Sequence, residues 1–245
     1  MIRVGVDVGG TNTDAVVMKG QKFLGGAKRP TTEDILTGVE NAIQAALGEA
    51  KTSSDSVDVL IIGTTHFVNA LVQRTKLAQT GLIRMCLPSG SSILPFSDWP
   101  ESLVNGMKGS CKLVKGGYEM DGNEISPLDK DELIDAAKEL SDLGCNQIAI
   151  SSVFATVRGD MEDEALELIS KAMPELSITL SKSIGGMGLL ERENAAIFNA
   201  SLKPLAGEVV ESFKLLQKSL KLSCPMFFTR NDGTLIEAAE VIELP

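Results

Sequence analysis

Apolar residues near the start of the chain occur in short runs separated by glycines, a pattern typical of strands. Three such runs, residues 2–8, 14–18 and 21–29, predict an opening meander. From residue 35 the apolar positions instead repeat every 3.6 residues, and Thr32 precedes them as a candidate N-cap. We therefore expect a helix of about four turns after the meander.

The rest of the chain alternates buried-strand and helix patterns. Apolar runs at residues 57–62, 147–151 and 177–181 predict strands, with helical periodicity between them. A last helical stretch covers residues 189–220, and Pro204 is expected to kink or divide it because proline lacks an N–H and clashes with the preceding turn. The alternation predicts an α/β fold with a mixed sheet flanked by helices.

Residues 89–129 interrupt this alternation. They are rich in Gly, Pro and Ser and contain only short strand-like pieces such as CKLVKGG. We interpret the stretch as an inserted α/β subdomain between two βα units.

Charge and composition exclude several classes of function. The net charge of −10 opposes binding to nucleic acid or to anionic membranes, because both need a basic surface. No charged-then-apolar leader and no apolar run near the ~20 residues of a membrane helix is present, so a cytoplasmic location is expected. The four cysteines form no C-x-x-C pair, and the single histidine, His66, excludes a two-histidine metal site.

The stretch VGVDVGGTNTDAVV, residues 4–17, places two glycines and several short donors between two predicted strands. Its spacing is neither that of a dinucleotide-binding fingerprint nor that of a P-loop. Glycines can adopt positive φ and let the backbone approach an anion, and the residues that follow offer N–H and side-chain donors to phosphate. A carboxylate at the strand end can hold a hydrated Mg²⁺. The candidate phosphate-binding residues are Gly9, Gly10, Thr11, Asn12 and Thr13, with Asp7 as the metal ligand. The alternative is a tight hairpin turn with no ligand.

Thr64, Thr65 and His66 follow a predicted strand where a helix begins. Free N–H groups at a helix N-terminus favour an anion or a polarised carbonyl, although the threonines can also serve simply as N-caps. His66 is a candidate general base near neutral pH, or else a packed or solvated side chain.

The string D-x-G-G-T-x-T-D at residues 7–14 resembles the first phosphate loop of the actin, sugar-kinase and Hsp70 ATPase superfamily. Residues 61–85, 96–103, 188–210 and 227–235 resemble segments of the N-terminal half of the hydantoinase/oxoprolinase family. This resemblance covers nearly all of the chain. It implies ATP- and Mg²⁺-dependent opening of a cyclic amide such as a hydantoin or 5-oxoproline, in which phosphorylation activates the ring carbonyl for attack by water.

The resemblance also implies a domain organisation. Residues 1–245 are expected to form one ribonuclease H-like lobe of an actin-like ATPase, inactive alone, because the family carries a second Asp-Gly-Gly-Thr loop in its other half and this chain reaches Pro245 before one. The expected partners are a small cyclic amide and the C-terminal half or a partner subunit, with oligomerisation open.

Further site residues follow from the same resemblance. Thr64 and Thr65 are expected to bind substrate, with Asn69 one turn further on. Arg192, with Glu191 or Asn194, is expected to face the cleft and contact substrate, although acids in a first helical turn are also explained by the helix dipole. Residues 156–163, TVRGDMED, depart from an N-P-x-H-E-like run in relatives and exclude a histidine role there.

Two other functions remain open from the sequence. A small-molecule kinase of the same superfamily would use the same loop on a sugar or carboxylate. A lobe that binds nucleotide without turnover is the other alternative.

Overall fold

The computed structural model describes residues 1–31 and 35–245, so the candidate N-cap Thr32 lies outside the described residues. The chain divides into two compact units. Unit 1 contains Met1–Val72 and Pro204–Pro245, and unit 2 contains Gln73–Lys203.

Strands and helices follow one another along the chain in the alternation that the sequence predicts. The strands are β1 (Ile2–Val8), β2 (Asn12–Lys19), β3 (Lys22–Pro30), β4 (Val59–Thr64), β5 (Thr80–Leu87), β6 (Ser110–Lys115), β7 (Gln147–Ser152), β8 (Ser177–Leu180), β9 (Met226–Thr229) and β10 (Leu235–Glu237). The helices are α1 (Ile35–Glu49), α2 (His66–Gln73), α3 (Glu101–Met107), α4 (Lys130–Asp142), α5 (Asp160–Ala172), α6 (Leu189–Ser219) and α7 (Ala238–Val241).

Unit 1 is built on a six-stranded mixed sheet in the order β10-β9-β4-β1-β2-β3. The first three strands form the predicted antiparallel meander, whereas β4 pairs parallel with β1 and β9 pairs parallel with β4. Alternate residues of β1, such as Val4 and Val6, are buried in the core with α1 and the C-terminal part of α6. The opposite face carries the remaining residues of each strand, among them Asp7.

Unit 2 contains a four-stranded, all-parallel sheet in the order β6-β5-β7-β8. One face of this sheet packs on α4 and α5 in an apolar core that includes Leu133 and Ile150. A second apolar cluster joins Ala196 and Ile197 of α6 to Leu82 and Ala149 of the sheet. The single tryptophan, Trp99, stacks on Phe198 with ring centroids 4.5 Å apart. Parallel strands buried on both faces require such apolar runs.

The predicted α/β class and the ribonuclease H-like order of strands are confirmed. The long helix is not divided at Pro204, because α6 continues for 31 residues through it, although the boundary between the two units falls at that proline. Residues 89–129 lie within unit 2 and contribute β6 to its sheet, and their status as an insertion stays a prediction. None of the described helices is long and apolar enough to cross a membrane.

Candidate functional site

Two separate segments of candidate residues meet at one edge of the unit 1 sheet. Strands β1, β4 and β9 run parallel, so their carboxyl ends lie side by side. In this register Val8 lies opposite Thr64, and Asp7 lies opposite Gly63. The glycine loop after β1 and the start of α2 after β4 are therefore neighbours, as expected for ligand sites at the carboxyl ends of parallel strands.

A three-residue loop, Gly9–Thr11, joins β1 to β2 and is held from both sides. The Gly9 N–H donates to the Asn12 carbonyl at 3.0 Å and closes the turn. Thr31, at the end of β3, donates its N–H to the Thr11 carbonyl at 2.9 Å and its hydroxyl to the Gly9 carbonyl at 2.8 Å. Sequence reasoning missed Thr31, because only the pairing of β3 with β2 brings it to the loop.

The loop presents backbone donors to solvent. Gly10 and Thr11 are exposed, and within the described part of the chain their N–H groups donate to no protein acceptor. Asn12 is half-buried, whereas Thr13 is fully buried, with its hydroxyl 3.3 Å from that of Thr31. The N–H groups of Gly10 and Thr11 are thus available to an anion, and the roles of Gly9, Gly10, Thr11, Asn12 and Thr13 in phosphate binding stay predictions.

Neither Gly9 nor Gly10 adopts the positive φ that glycine permits. A Cβ built at Gly10 meets no atom within 4 Å, whereas one at Gly9 would lie 3.0 Å from the Asn12 carbonyl oxygen. Glycine at position 10 therefore leaves open space beside the loop and does not serve a left-handed backbone.

Asp7 is exposed at the end of β1 and has the properties of a cation ligand. It lies directly opposite Asp14 of β2, and like charges placed this way disfavour the strand pair unless they are neutralised. Lys28 lies 3.4 Å from Asp14, whereas Asp7 makes no hydrogen bond or ion pair to the described residues. The described residues hold no group of three or more His, Cys, Asp or Glu side chains for a metal. A hydrated Mg²⁺ fits, because it needs only one or two carboxylates.

The threonines before α2 make local contacts. The His66 N–H donates to the Thr64 hydroxyl at 3.3 Å, and the same hydroxyl is hydrogen-bonded to Nδ1 of His66. The Asn69 side-chain N–H donates to the Thr65 hydroxyl at 3.2 Å. None of these contacts is the bond from the second or third helical N–H that defines an N-cap. Thr65 and Asn69 are exposed at the same sheet edge as the glycine loop. Their roles in substrate binding, and that of His66 as a base, stay predictions.

Arg192 lies in unit 2 and is fully buried. Its guanidinium donates to the Ser152 carbonyl at 2.6 Å, to the Ser181 hydroxyl at 3.0 Å and to the carbonyls of residues 186–188 at 3.1 to 3.4 Å. Burial lowers its pKa, against the raising effect of Glu162. These bonds hold the loop before α6, and contact with substrate by Arg192 stays a prediction.

Glu162 completes this buried group in unit 2. Its carboxylate accepts the Ser152 N–H at 2.8 Å, the Ser181 hydroxyl at 2.6 Å and the Lys182 N–H at 3.0 Å. Burial raises its pKa, and these hydrogen bonds counteract the rise. Glu162 and Arg192 therefore meet through the Ser181 hydroxyl in a satisfied internal network.

A second buried pair in unit 2 was not visible from the sequence pattern. Arg84 of β5 and Glu193 of α6 are both fully buried and form a bidentate ion pair with N–O distances of 2.7 and 2.5 Å. Burial lowers the pKa of Arg84, but the hydrogen bonds and charge of Glu193 outweigh it and the pKa is raised. Glu193 thus has a structural partner.

The buried hydroxyls of Ser151 and Ser152 have no partner among the described residues.

Together, the mixed sheet and the exposed glycine loop at its carboxyl edge define an α/β protein with a candidate phosphate site, and the sequence comparison specifies the family. The chain belongs to the hydantoinase/oxoprolinase family, whose N-terminal region matches residues 3–173. It is 24% identical, over 95% of its length, to the caprolactamase alpha subunit of Pseudomonas jessenii. It is 26% identical, over 99% of its length, to an uncharacterised protein of Methanocaldococcus jannaschii.

Two solved structures share the fold. The ATP-dependent caprolactamase of Pseudomonas jessenii superposes with a TM-score of 0.77 at 23% identity over 96% of this chain. Nucleotide-free acetone carboxylase superposes with a TM-score of 0.74 at 19% identity over 96% of this chain. The chain spans only 36% to 37% of the length of these relatives.

Proposed function

We propose that this chain is the N-terminal part of an ATP-dependent hydrolase of cyclic amides, of the hydantoinase and 5-oxoprolinase type. The observation that carries the proposal is the exposed tip of the Gly9–Thr11 loop, where the N–H groups of Gly10 and Thr11 and the carboxylate of Asp7 have no partner among the described residues. Family membership and the ATP dependence of the caprolactamase relative support it.

In this proposal the loop binds phosphate oxygens of ATP, with further donors from Asn12 and Thr13, and Asp7 holds a hydrated Mg²⁺. The cation neutralises phosphate charge when it is bound. The backbone donors of Gly10 and Thr11 are held in place by Thr31 before nucleotide arrives. Donors fixed in this way stabilise developing charge without reorganising during the reaction.

The proposed reaction activates a poor electrophile. The terminal phosphoryl group passes from ATP to the ring carbonyl oxygen with loss of ADP, water adds at the carbonyl carbon, the ring C–N bond breaks, and hydrolysis releases phosphate. Thr64, Thr65 and Asn69 are proposed to bind the ring substrate, and His66 is proposed as the base. We also propose that Arg192 contributes to catalysis. Because its guanidinium is fully buried and bonded to the loop at residues 186–188, this contribution requires that the loop move.

The test is a product assay on the protein at its full natural length. Purified protein is incubated with Mg·ATP and a panel of hydantoin, 5-oxoproline and caprolactam, and ADP and the ring-opened carboxylate are quantified. We expect ring opening coupled to ADP release with at least one ring. A stable phosphoester of a sugar or carboxylate would favour a kinase instead, and nucleotide binding without any product would favour a non-catalytic lobe.

The same assay tests whether this chain needs the rest of the protein for turnover. Residues 1–245 alone are expected to release little ADP, because ATP would then lack the phosphate-binding donors of a second lobe. Addition of the C-terminal half in trans is expected to restore turnover. Full turnover by residues 1–245 alone would contradict the proposal that the chain is one lobe.

A further inference from the structure

The absence of a side chain at Gly63 leaves a gap at the carboxyl edge of the unit 1 sheet. A Cβ built at this glycine would lie 3.2 Å from the Asp7 carboxylate oxygen Oδ1 and 3.4 Å from both the Thr229 hydroxyl and the Val6 carbonyl oxygen. Asp7 comes from β1 and Thr229 from β9, the two strands on either side of β4. Three oxygens from two different strands therefore surround the volume that any other residue would fill.

The hydrogen-bonding capacity of these oxygens restricts what can occupy the gap. The Asp7 carboxylate accepts only, and the Thr229 hydroxyl already directs its proton towards the Ile62 carbonyl at 3.5 Å, which leaves its lone pairs available. Acceptor oxygens that face one space attract a cation or the waters that a cation carries. A phosphate oxygen in the same gap would face the Asp7 carboxylate and the Val6 carbonyl, which are both acceptors.

We propose that Thr229 and Gly63 belong to the cation site of Asp7. The Thr229 hydroxyl is a positioning residue that accepts a hydrogen bond from a water of the hydrated Mg²⁺, and Gly63 is glycine because a side chain there would stand between Asp7 and Thr229, where that water approaches the sheet edge. This inference rests on the proposed binding of Mg·ATP. Neither Thr229 nor Gly63 was a candidate site residue from the sequence.

Calorimetric titration of the full-length protein tests the proposal, with ADP as ligand in the presence of Mg²⁺ and again in EDTA. Thr229→Val removes the hydroxyl but keeps the shape, and Thr229→Ser restores the hydroxyl. Gly63→Ala fills the gap with one methyl group, which neighbours at 3.2 to 3.4 Å can accommodate by small shifts. Gly48→Ala is its control, because a Cβ there meets nothing within 4 Å.

We expect Thr229→Val and Gly63→Ala to weaken Mg·ADP binding about 10- to 100-fold, the range for partners that orient a metal's ligands. Binding of ADP in EDTA, Thr229→Ser and Gly48→Ala are expected to match the wild type. Equal Mg·ADP affinity of wild type, Thr229→Val and Gly63→Ala would overturn the inference while leaving the proposed function intact. Failure of the wild type to bind ADP under either condition would overturn the proposed function and the inference with it.

Discussion

Both units contain charged residues on or beside their parallel strands, but they use them in opposite ways. In unit 1, Asp7 and the N–H groups of Gly10 and Thr11 are exposed and have no protein partner among the described residues. In unit 2, Arg84 and Arg192 are buried, and each is bonded to carboxylates, hydroxyls or carbonyls of the same unit. A charged residue beside parallel strands therefore indicates a candidate ligand site only when its hydrogen-bonding groups remain available.

The largest effect expected from this comparison is on the stability of unit 2. Glu193→Leu leaves the Arg84 guanidinium buried without its charge partner, and breaking a buried pair in this way costs about 3–5 kcal/mol. We expect a large decrease in the free energy of unfolding, measured with denaturant, and unchanged nucleotide affinity in the protein that remains folded. The double variant Arg84→Met/Glu193→Leu is the control and should recover most of the loss. Loss of nucleotide affinity with unchanged stability would reverse the assignment of the two units.

Asp7→Asn in unit 1 is expected to have the converse effect. Affinity for Mg·ATP should fall at least about 100-fold, the upper range for groups that only orient a metal's ligands. Stability should be unchanged or slightly higher, because the substitution removes one of two carboxylates that face each other across β1 and β2. Calorimetry and thermal unfolding give the two quantities, with Asp14→Asn as the matched control that should weaken binding much less. Unchanged affinity in a folded Asp7→Asn protein would refute the cation site.

Gly10 and Gly185 differ in the space that is available for a side chain. A Cβ at Gly10 meets nothing within 4 Å, whereas one at Gly185 would lie 2.7 Å from the Arg192 backbone. Gly185→Ala is therefore expected to destabilise the protein by about 1–3 kcal/mol, the cost of overpacking. Gly10→Val is expected to leave the melting temperature unchanged while it lowers nucleotide affinity, because its side chain occupies the approach of the phosphate. A lower melting temperature for Gly10→Val would show that the loop has a structural requirement for glycine.

The smallest expected effect concerns the support of the loop. Thr31→Val removes the hydrogen bond to the Gly9 carbonyl and should cost about 1 kcal/mol in the free energy of unfolding. Nucleotide affinity should also decrease, since the loop then has to be ordered on binding. Thr31→Ser keeps the hydroxyl and is expected to behave as wild type. Identical behaviour of the valine and wild-type proteins in both measurements would remove Thr31 from the site.

Strands and helices were predictable from the sequence because their periodicity is local. The meander and the strands β7 and β8 follow the predicted pattern closely. The central strand β5 was not predicted, because its uninterrupted burial in a parallel sheet gives no alternation of apolar and polar residues. Pro204 was expected to interrupt α6, yet the helix continues through it.

The candidate site was predictable only where its residues are contiguous. The loop at residues 9–13 is one segment, and its short donors and glycines indicate phosphate binding without reference to the fold. Strand pairing brings Thr31 to that loop and places Gly63 between Asp7 and Thr229, and no single segment records this pairing. The burial of Arg192 was likewise invisible, because a cation in a first helical turn gives the same sequence whether it faces solvent or the interior.

The stacking of Trp99 on Phe198 has a practical consequence for optical work on this chain. Since Trp99 is the only tryptophan of the chain and lies in unit 2, indole emission follows the packing of that unit alone, and the unit with the glycine loop contributes none. Circular dichroism, by contrast, records the helices of both units. Agreement or divergence of the two signals during denaturation therefore distinguishes a single cooperative transition from separate unfolding of the two units.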